Sequence, residues 1–517
     1  MTLSSASYHH VTSYERQRLA GQYLDWRNQP TVYKTYPHME PLPLPRDVQL
    51  PGEKLSSLLK AEGPGGEGSP SLNLQDLSRV FLLTYSLTAK AAHTGGEFYY
   101  RSAASAGALY PTEIYGATRG VHGLDDGLYH FSIAHHGLIL LREGDLSAHT
   151  VKAVQAKSTG TPVLAFFLSA IFFRSAWKYR ERSYRYNLLD TGHVIENLTL
   201  ALTSLALPLA LSYDFDDGKV NRLLGLDETK EVVLAVSGVL ESRLSDKKRT
   251  RDISELGEDI RNASQVAQRE IDYPTVREMH RAGAGVSPPP GPGPGMVNEL
   301  GLNPDAWTKI SPPATWPETM NHAECVFRRR SRRNYVPEPI SQDCLMSLLE
   351  VLCATGLEAH TGSFEYHRSV GIGFLVGDAE GLGPGLYLLD LSAAEAGTVA
   401  PGFFRDRMAH ICLDQAWLAN AAVHFLFMTN LEILDCLWGA RGYRYAMMTA
   451  GRMGERLYLA ATAMDLGCCG IGAFYDEEAA KLLGLNKASR LLYLVAVGPV
   501  KATGGSEHEP MIGKYVT

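Results

Sequence analysis

The chain has 517 residues, which is more than one ordinary hydrophobic core holds and predicts roughly two to four domains. Its hydrophobic fraction of 45% and charged fraction of 20% are typical of a globular protein in water. The net charge of −7 gives no electrostatic reason to expect a nucleic-acid partner, and the longest apolar run is too short to cross a bilayer.

The N-terminal residues 1–50 are polar and interrupted by prolines, and we expect an extension that either wraps the protein or clamps a peptide. The first residues lack the apolar stretch of a signal peptide. The seven cysteines all follow residue 324 without CxxC spacing, which indicates reduced thiols. Together these features predict a cytoplasmic protein.

A first module is predicted over residues 51–245. Within it, the segment RSAASAGALYPTEIY at 101–115 changes abruptly from small polar residues to an apolar strand. Small residues in a turn let a ligand approach the backbone closely. We call residues 105–107 the small turn and expect it to close over a ligand.

The apolar run TPVLAFFLSAIFF at 161–173 predicts a buried strand, and a long helix is predicted after it. Between them lie Lys178 and Tyr179, side by side. This pattern alone leaves two interpretations open, namely ordinary surface residues or a functional pair.

Residues 246–300 begin as a charged stretch and end in a Pro/Gly-rich segment that has no capacity to form a core. We predict a connector here, followed by a second module over 301–517. The chain is therefore divided near its middle.

The two halves are related. The segment that begins at Tyr184 aligns without a gap to the segment that begins at Tyr443, with 16 identities over 43 positions. Each copy predicts a long amphipathic helix, a short turn, a second helix that ends in Leu-Gly-Leu, and an apolar strand. A duplication of this size predicts two α+β modules that pack as a pseudo-two-fold dimer within one chain.

An arginine-rich element occurs only in the second half, where five arginines surround Ser331 within residues 328–333. We call these residues the arginine element. Such crowding of cations predicts a bound anion, and the planar guanidinium suits phosphate. The alternatives are a solvated basic turn and a patch that touches RNA.

Glycines at 467, 470 and 472 follow the second long helix and predict a backbone against which a flat ligand can lie. The first half has Pro208, Leu211 and Tyr213 at the aligned positions, so it cannot hold the same ligand unaided. The adjacent Cys468 and Cys469 are either redox-active or buried for packing, and we favour packing.

These motifs together resemble the nitroreductase-like superfamily of FMN flavoproteins and, within it, the SagB/ThcOx-type dehydrogenases. The resemblance rests on SAGALYPTEIY and WKYRERSYRYNLLDTGH in the first half and on RRSRRNYVPEPIS and GIGAF in the second. It covers essentially the whole chain as two fused copies. It implies an α+β fold in which each module has a mixed central sheet flanked by helices.

The resemblance also implies one FMN site at the interface of the two modules. The second half would supply the phosphate-side and ring-side residues, which are Arg329, Arg330, Ser331, Arg333, Gly470, Gly472 and Ala473. The first half would complete the site with the small turn and its neighbours, which are Ser105, Ala106, Gly107, Tyr110 and Pro111. Because the duplication supplies the dimer interface, a monomer suffices.

In azoline-oxidising relatives an adjacent lysine and tyrosine are tied to catalysis, and Lys178 and Tyr179 match them. Oxidation would move a hydride to the flavin while a base takes a proton. The candidate base is either Tyr179, with a pKa lowered by the neighbouring lysine, or Lys178 itself after desolvation.

The expected function is an FMN-dependent dehydrogenase of an azoline-type heterocycle in a peptidic or related small substrate. Two alternatives remain, namely an NAD(P)H-dependent reductase of nitroaromatics or quinones, and a non-catalytic flavin-binding partner of a peptide-modifying complex. We expect no metal, nucleic-acid or membrane partner.

Overall fold

The structure is a computed structural model. It describes residues 3–18, 23–60, 71–93, 96–154, 161–241, 253–285, 295–354, 365–501 and 509–510. Of the connector expected over 246–300, residues 246–252 and 286–294 lie outside the described residues.

The α-helices, numbered in chain order, are α1 Ser5–Val11, α2 Leu55–Lys60, α3 Leu74–Thr84, α4 Ser147–Ala153, α5 Phe172–Tyr179, α6 Ser183–Ser204, α7 Asp217–Leu224, α8 Glu258–Asn262, α9 Pro274–Ala282, α10 His322–Arg328, α11 Gln342–Cys353, α12 Arg405–Ile411, α13 Leu431–Trp438, α14 Arg441–Ala463 and α15 Asp476–Leu483.

The strands are β1 Leu42–Pro43, β2 Leu87–His93, β3 Gly96–Arg101, β4 Thr112–Thr118, β5 Gly127–Ser132, β6 Gly137–Glu143, β7 Thr161–Ile171, β8 Leu209–Ser212, β9 Glu231–Glu241, β10 Ala306–Lys309, β11 Gly371–Val376, β12 Gly385–Asp390, β13 Glu395–Pro401, β14 Val423–Asn430, β15 Gly467–Ile471, β16 Ser489–Gly498 and β17 Glu509–Pro510.

Each half of the chain folds around a seven-stranded sheet, and the two sheets have the same topology. The strand order is β1-β6-β5-β4-β7-β9-β8 in the first and β10-β13-β12-β11-β14-β16-β15 in the second. A small third sheet joins β17 from the end of the chain to the hairpin β2-β3 of the first module.

The neighbouring strands of the described sheets are antiparallel, where the resemblance implied mixed sheets. The physical reason is that β4-β5-β6 and β11-β12-β13 follow one another through short turns, which reverse the chain at every step. Strand β7, predicted from its apolar run, is buried along its whole length because helices cover both sides of the sheet.

The long helices α6 and α14 form the centre of the molecule. The sequence predicted amphipathic helices, but residues 183–202 and 441–461 are all buried, because the two helices cross between the sheets. At the crossing, a Cβ on Gly192 would lie 2.3 Å from the Met448 carbonyl oxygen, and one on Gly451 would lie 2.2 Å from that of Leu189. The aligned positions of the repeat therefore meet at a pseudo-two-fold axis.

A buried ion cluster ties the N-terminal segment and the first module to the second. The Asp476 carboxylate accepts from Arg182 (Nη1–Oδ2 2.7 Å) and from Arg185 (Nη1–Oδ1 2.6 Å), and the His9 ring lies 3.1 Å away. Burial alone would raise the pKa of Asp476, but the two guanidiniums outweigh burial and hold it well below its usual range. Residues near the N-terminus thus wrap across both modules.

The same cluster recurs on the other side of the axis. Asp217 accepts from Arg441 and Arg444, each at 2.7 Å, and His280 of α9 lies 3.5 Å from the carboxylate. Helix α9 therefore occupies the place that α1 occupies in the first copy. The repeat extends upstream into the segment that we expected to be a connector.

Candidate functional site

The small turn is held in place by a carboxylate of α6. Asp190 accepts from the Ser105 hydroxyl at 2.6 Å and from the Ala106 amide at 3.1 Å. Ser105 Oγ in turn accepts from the Tyr110 amide at 2.9 Å. Burial raises the pKa of Asp190 to about 6, although the two hydrogen bonds work in the opposite direction. The turn is thus anchored from below by a helix of its own module.

Gly107 brings the small turn against Lys178 and Tyr179. Its φ is +65°, and a Cβ on it would lie 2.8 Å from the Tyr179 hydroxyl and 3.2 Å from Lys178 Nζ. Only glycine adopts this backbone conformation without strain and also leaves room for the Tyr179 hydroxyl and Lys178 Nζ. The close-approach turn predicted from the sequence therefore closes on the predicted functional pair.

The electrostatics of this pair distinguish the two candidate bases. Burial, followed by the positive charge of Arg333, lowers the pKa of the Lys178 amine. Burial and the neighbouring Tyr186 raise the pKa of Tyr179 well above its usual value. The suggestion that Lys178 lowers the pKa of Tyr179 is therefore wrong, and Lys178 is the better proton acceptor of the two.

Tyr110 and Pro111 lie behind the small turn. Tyr110 is buried with a φ of +48°, its hydroxyl accepts from the Arg101 amide at 3.3 Å, and the Arg101 guanidinium lies 4.6 Å from its ring centre. The Pro111 carbonyl accepts from the Ile171 amide at 3.0 Å. These two residues fasten the turn to the sheet.

The arginine element crosses from the second module onto the first. Arg329 is buried and donates to the carbonyls of Ser102 (2.5 Å) and Arg101 (2.9 Å), while its Nη1 is buried without a hydrogen-bond partner. Arg330 donates to Thr88 of β2, to the hydroxyl at 3.1 Å and to the carbonyl at 3.2 Å. Burial and the adjacent Arg329 lower the pKa of Arg330 to about 10. A buried and a half-buried guanidinium thus lie side by side, hydrogen-bonded to neutral oxygens.

The rest of the arginine element leads towards the functional pair. The Ser331 hydroxyl lies 2.9 Å from the Tyr458 hydroxyl of α14. Arg333 is exposed, lies 6.0 Å over the Trp417 ring, and is close enough to Lys178 to lower its pKa. The side chains predicted from two distant parts of the sequence are therefore neighbours in the structure.

The glycine turn, residues 470–473, is packed by tyrosines. A Cβ on Gly470 would lie 1.7 Å from the Tyr493 hydroxyl, and one on Gly472 would lie 2.6 Å from the Tyr186 ring. The Gly472 carbonyl accepts from the Tyr186 hydroxyl of the first module at 3.1 Å. Ala473 is half-buried beside it. These glycines therefore admit aromatic side chains of the protein, a reason for them that the sequence did not indicate.

On the other side of the pseudo-two-fold axis, side chains fill the equivalent place. Tyr213, aligned with Gly472, is fully buried, and its ring lies 4.3 Å from that of Tyr366. The Tyr366 hydroxyl donates to Asp214 at 2.8 Å and accepts from the Tyr213 amide at 3.0 Å. Thr449 stands where the first copy has Asp190. The arrangement of the site is thus present on one side of the axis.

Four neighbours of the candidate site residues were not predicted from the sequence, namely Asp190, His193, Tyr458 and Tyr493. The comparison of the copies could have found them, because Asp190, His193 and Tyr458 align with Thr449, Arg452 and Thr199. Cys468 and Cys469 are successive residues of β15 and so point to opposite faces of the sheet. Burial raises the pKa of both thiols, in agreement with a packing role.

A model of the nitroreductase family matches the chain twice, over residues 47–238 and over residues 326–499. The chain belongs to the nitroreductase family. Because the family domain occurs once in each half, the match confirms the tandem resemblance that the motifs predicted. In the part of the chain that the structure describes, no helix is both long enough and apolar enough to cross a bilayer.

Three proteins illustrate the likeness. A putative nitroreductase of Methanocaldococcus jannaschii is 26% identical over 174 residues, which are 34% of this chain and 84% of that protein. The trifolitoxin-processing protein TfxB of Rhizobium leguminosarum bv. trifolii is 30% identical over 176 residues, which are 32% of this chain and 46% of TfxB.

The third is the crystal structure of a putative nitroreductase from Anabaena variabilis, 28% identical with a TM-score of 0.76. The similarity covers 96% of this chain and 100% of that one, so the paired-module architecture is common to both.

Proposed function

We propose that this nitroreductase-family oxidoreductase binds one FMN between its modules and oxidises an azoline-type heterocycle in a peptidic or related small substrate. One observation carries the proposal. Arg329 of the second module donates to the Ser102 carbonyl, three residues before the small turn, and Arg333 lies close enough to Lys178 to lower its pKa. Gly107 of the small turn lies in turn against Lys178 and Tyr179. The second module contributes the arginine element, and the first contributes the small turn and the Lys178–Tyr179 pair.

The phosphate end of the site fits an anion. Arg329 and Arg330 are adjacent guanidiniums that donate to neutral oxygens, and the one carboxylate close to them is Glu455, 3.9 Å from Arg329 Nε. Arg329 Nη1 is a buried donor without a hydrogen-bond partner. One carboxylate does not neutralise two adjacent cations, and an unpaired buried donor is unfavourable unless an acceptor reaches it. A phosphate monoester would supply the negative charge and the acceptor oxygens, with Ser331 as a neutral donor.

The ring end would lie between the small turn, the glycine turn and Arg333. When bound, FMN would supply the two-electron acceptor for the reaction. Lys178 is the residue that we assign to proton acceptance, because desolvation favours its neutral amine. Tyr179 keeps its proton and serves as a hydrogen-bond donor to substrate.

The dehydrogenase assignment is supported by the likeness to a toxin-processing protein, which agrees with the SagB-type motifs. A second candidate is an NAD(P)H-dependent reductase, because two of the similar proteins are described as putative nitroreductases. Rapid mixing separates these activities. Bleaching of the flavin by NADPH would favour the reductase, and bleaching by an azoline peptide would favour the dehydrogenase.

The cofactor assignment is tested by the visible spectrum of the purified protein after incubation with FMN. We expect one flavin per chain. Arg329→Ala should abolish retention, whereas Arg328→Ala, one residue earlier and exposed, should retain it. A ratio of two, or equal retention by both variants, would contradict the proposed site. A colourless protein that takes up no FMN would favour a non-catalytic partner.

The catalytic assignment is tested by separating the two members of the pair. Lys178→Ala should keep the flavin and lose turnover. Tyr179→Phe should lose less turnover than Lys178→Ala, because only the hydroxyl is removed. The ring still packs with its centre 4.3 Å from that of the Tyr186 ring. The wild-type rate should rise with pH through the depressed pKa of Lys178. Normal turnover by Lys178→Ala would refute the assignment.

A further inference from the structure

The crossing of α6 and α14 places two related pairs across the pseudo-two-fold axis. On one side His193 Nδ1 lies 2.5 Å from Glu455 Oε2. On the other, Arg452 Nε donates to Glu196 Oε2 at 2.8 Å. His193 aligns with Arg452, and Glu196 aligns with Glu455. The two aligned carboxylates are both buried, but Glu455 faces an imidazole and Glu196 faces a guanidinium.

The charge around the two carboxylates differs. Glu196 also accepts from Arg456 Nε at 2.6 Å, and the two arginines lower its pKa although burial alone would raise it. The position aligned with Arg456 is Asn197. On that side the guanidinium near Glu455 is Arg329, with its Nε at 3.9 Å. Whether Glu455 faces a second full positive charge therefore depends on the protonation of His193.

The same imidazole reaches the floor of the glycine turn. His193 Nε2 lies 3.0 Å from the Tyr493 hydroxyl, and that hydroxyl is the group that a Cβ on Gly470 would overlap. The equivalent position of β9 is Ala235, which has no hydroxyl. The histidine and the tyrosine thus occur together on the side of the axis that carries the site.

Polar groups from each packed element surround His193. They are Asp190 from α6, Glu455 and Tyr458 from α14 and Tyr493 from β16. Arg329, after α10, lies 3.9 Å from Glu455. Two carboxylates and one guanidinium make this a place where an imidazolium can be held.

We propose that His193 is a positioning residue for the buried side of the glycine turn. When it is protonated, it places a positive charge next to the Tyr493 hydroxyl, which lies against that turn. The inference rests on the proposed FMN site, whose ring end includes that turn. A positive charge on the buried side of that turn would favour the reduced, anionic cofactor over the oxidised one. Protonation of His193 should therefore raise the reduction potential of the bound flavin.

The test compares flavin-loaded wild type with His193→Arg and His193→Gln. Arginine is the residue of the related position and keeps the charge at every pH, whereas glutamine is neutral. Potentials are measured against a reference dye from about pH 5 to about pH 8. We expect the arginine variant to prefer reduced flavin about tenfold more than the glutamine variant, which is about 30 mV for a two-electron couple.

The wild type should follow the arginine variant at low pH and the glutamine variant at high pH. Arg452→His, a matched control on the other side of the axis, should leave the potential unchanged. If the arginine variant does not fold, the comparison of wild type with the glutamine variant is sufficient. The difference between their reduction potentials should vanish at high pH and grow at low pH.

Equal potentials with parallel pH dependence in all flavin-loaded variants would overturn this inference and leave the proposed function intact. A wild-type chain that takes up no FMN would overturn both.

Discussion

Gly107→Ala tests whether the contact between the small turn and the Lys178–Tyr179 pair matters for function. The substitution has two effects. Alanine at a φ of +65° costs about 1–2 kcal/mol of backbone strain. The new Cβ would also lie 2.8 Å from the Tyr179 hydroxyl and 3.2 Å from Lys178 Nζ, so the pair must shift.

Gly120→Ala isolates the first effect. Gly120 has nearly the same φ, +69°, at the far end of β4, and a Cβ on it would meet nothing within 4 Å. Both variants should therefore lose about 1–2 kcal/mol of unfolding free energy in urea. Only Gly107→Ala should lose turnover, by about 100-fold, because a displacement of about 1 Å at a reacting group has that effect.

The assay is single-turnover bleaching of the bound flavin by the donor that the wild type accepts. Flavin content, read from the visible spectrum, should remain near that of the wild type in both variants, because the arginine element is untouched. If Gly107→Ala and Gly120→Ala bleach at the same rate, the contact is irrelevant to the reaction and the reasoning fails.

Three further outcomes are expected. The pKa of Asp190 is raised from 3.8 to about 6, so this carboxyl favours folding at low pH, and the advantage disappears as pH rises through about 6. The stability of wild type relative to Asp190→Asn should fall by about 3 kcal/mol between about pH 4 and about pH 7, and a pH-independent difference in urea titrations would contradict this. Tyr213→Gly should lose about 3–5 kcal/mol of unfolding free energy. The variant should still bind one flavin per chain, because the place related to the proposed FMN site by the pseudo-two-fold axis has no arginine element. Binding of a second flavin would show that the arginine element is not required. Asp217→Asn leaves Arg441 and Arg444 without their carboxylate and should cost about 3–5 kcal/mol by the same measurement, whereas a loss near zero would mean that water screens the cluster.

Much of the fold could be predicted because the duplication is visible in local patterns. The alignment pairs Gly192 with Gly451, and these two residues meet at the helix crossing. Two expectations were wrong for tertiary reasons. The described sheets are antiparallel because hairpins build β4-β5-β6 and β11-β12-β13 and because the other neighbours, such as β4-β7 and β7-β9, also run in opposite directions. Helices α6 and α14 are buried on all sides because each packs between two modules.

The site was predicted less completely than the fold. Lys178 and the small turn were found as motifs, but their contact through Gly107 was not. Asp190 is one acidic residue among many in the sequence, and only the fold places its carboxylate under Ser105. The packing of Tyr493 against Gly470 was not predicted, because Tyr493 lies on a strand that follows later in the chain.

By itself, the sequence determined the repeat, the family and the asymmetry between the copies, because these are written in residue identity and spacing. The protonation preferences of Lys178 and Tyr179 follow only from the tertiary structure. The same holds for the burial of Tyr213 at the position that the pseudo-two-fold axis relates to Gly472. The physical reason is that burial and electrostatic neighbours come from residues far apart in the chain. Arg333 acts on Lys178 only after the two modules have packed together.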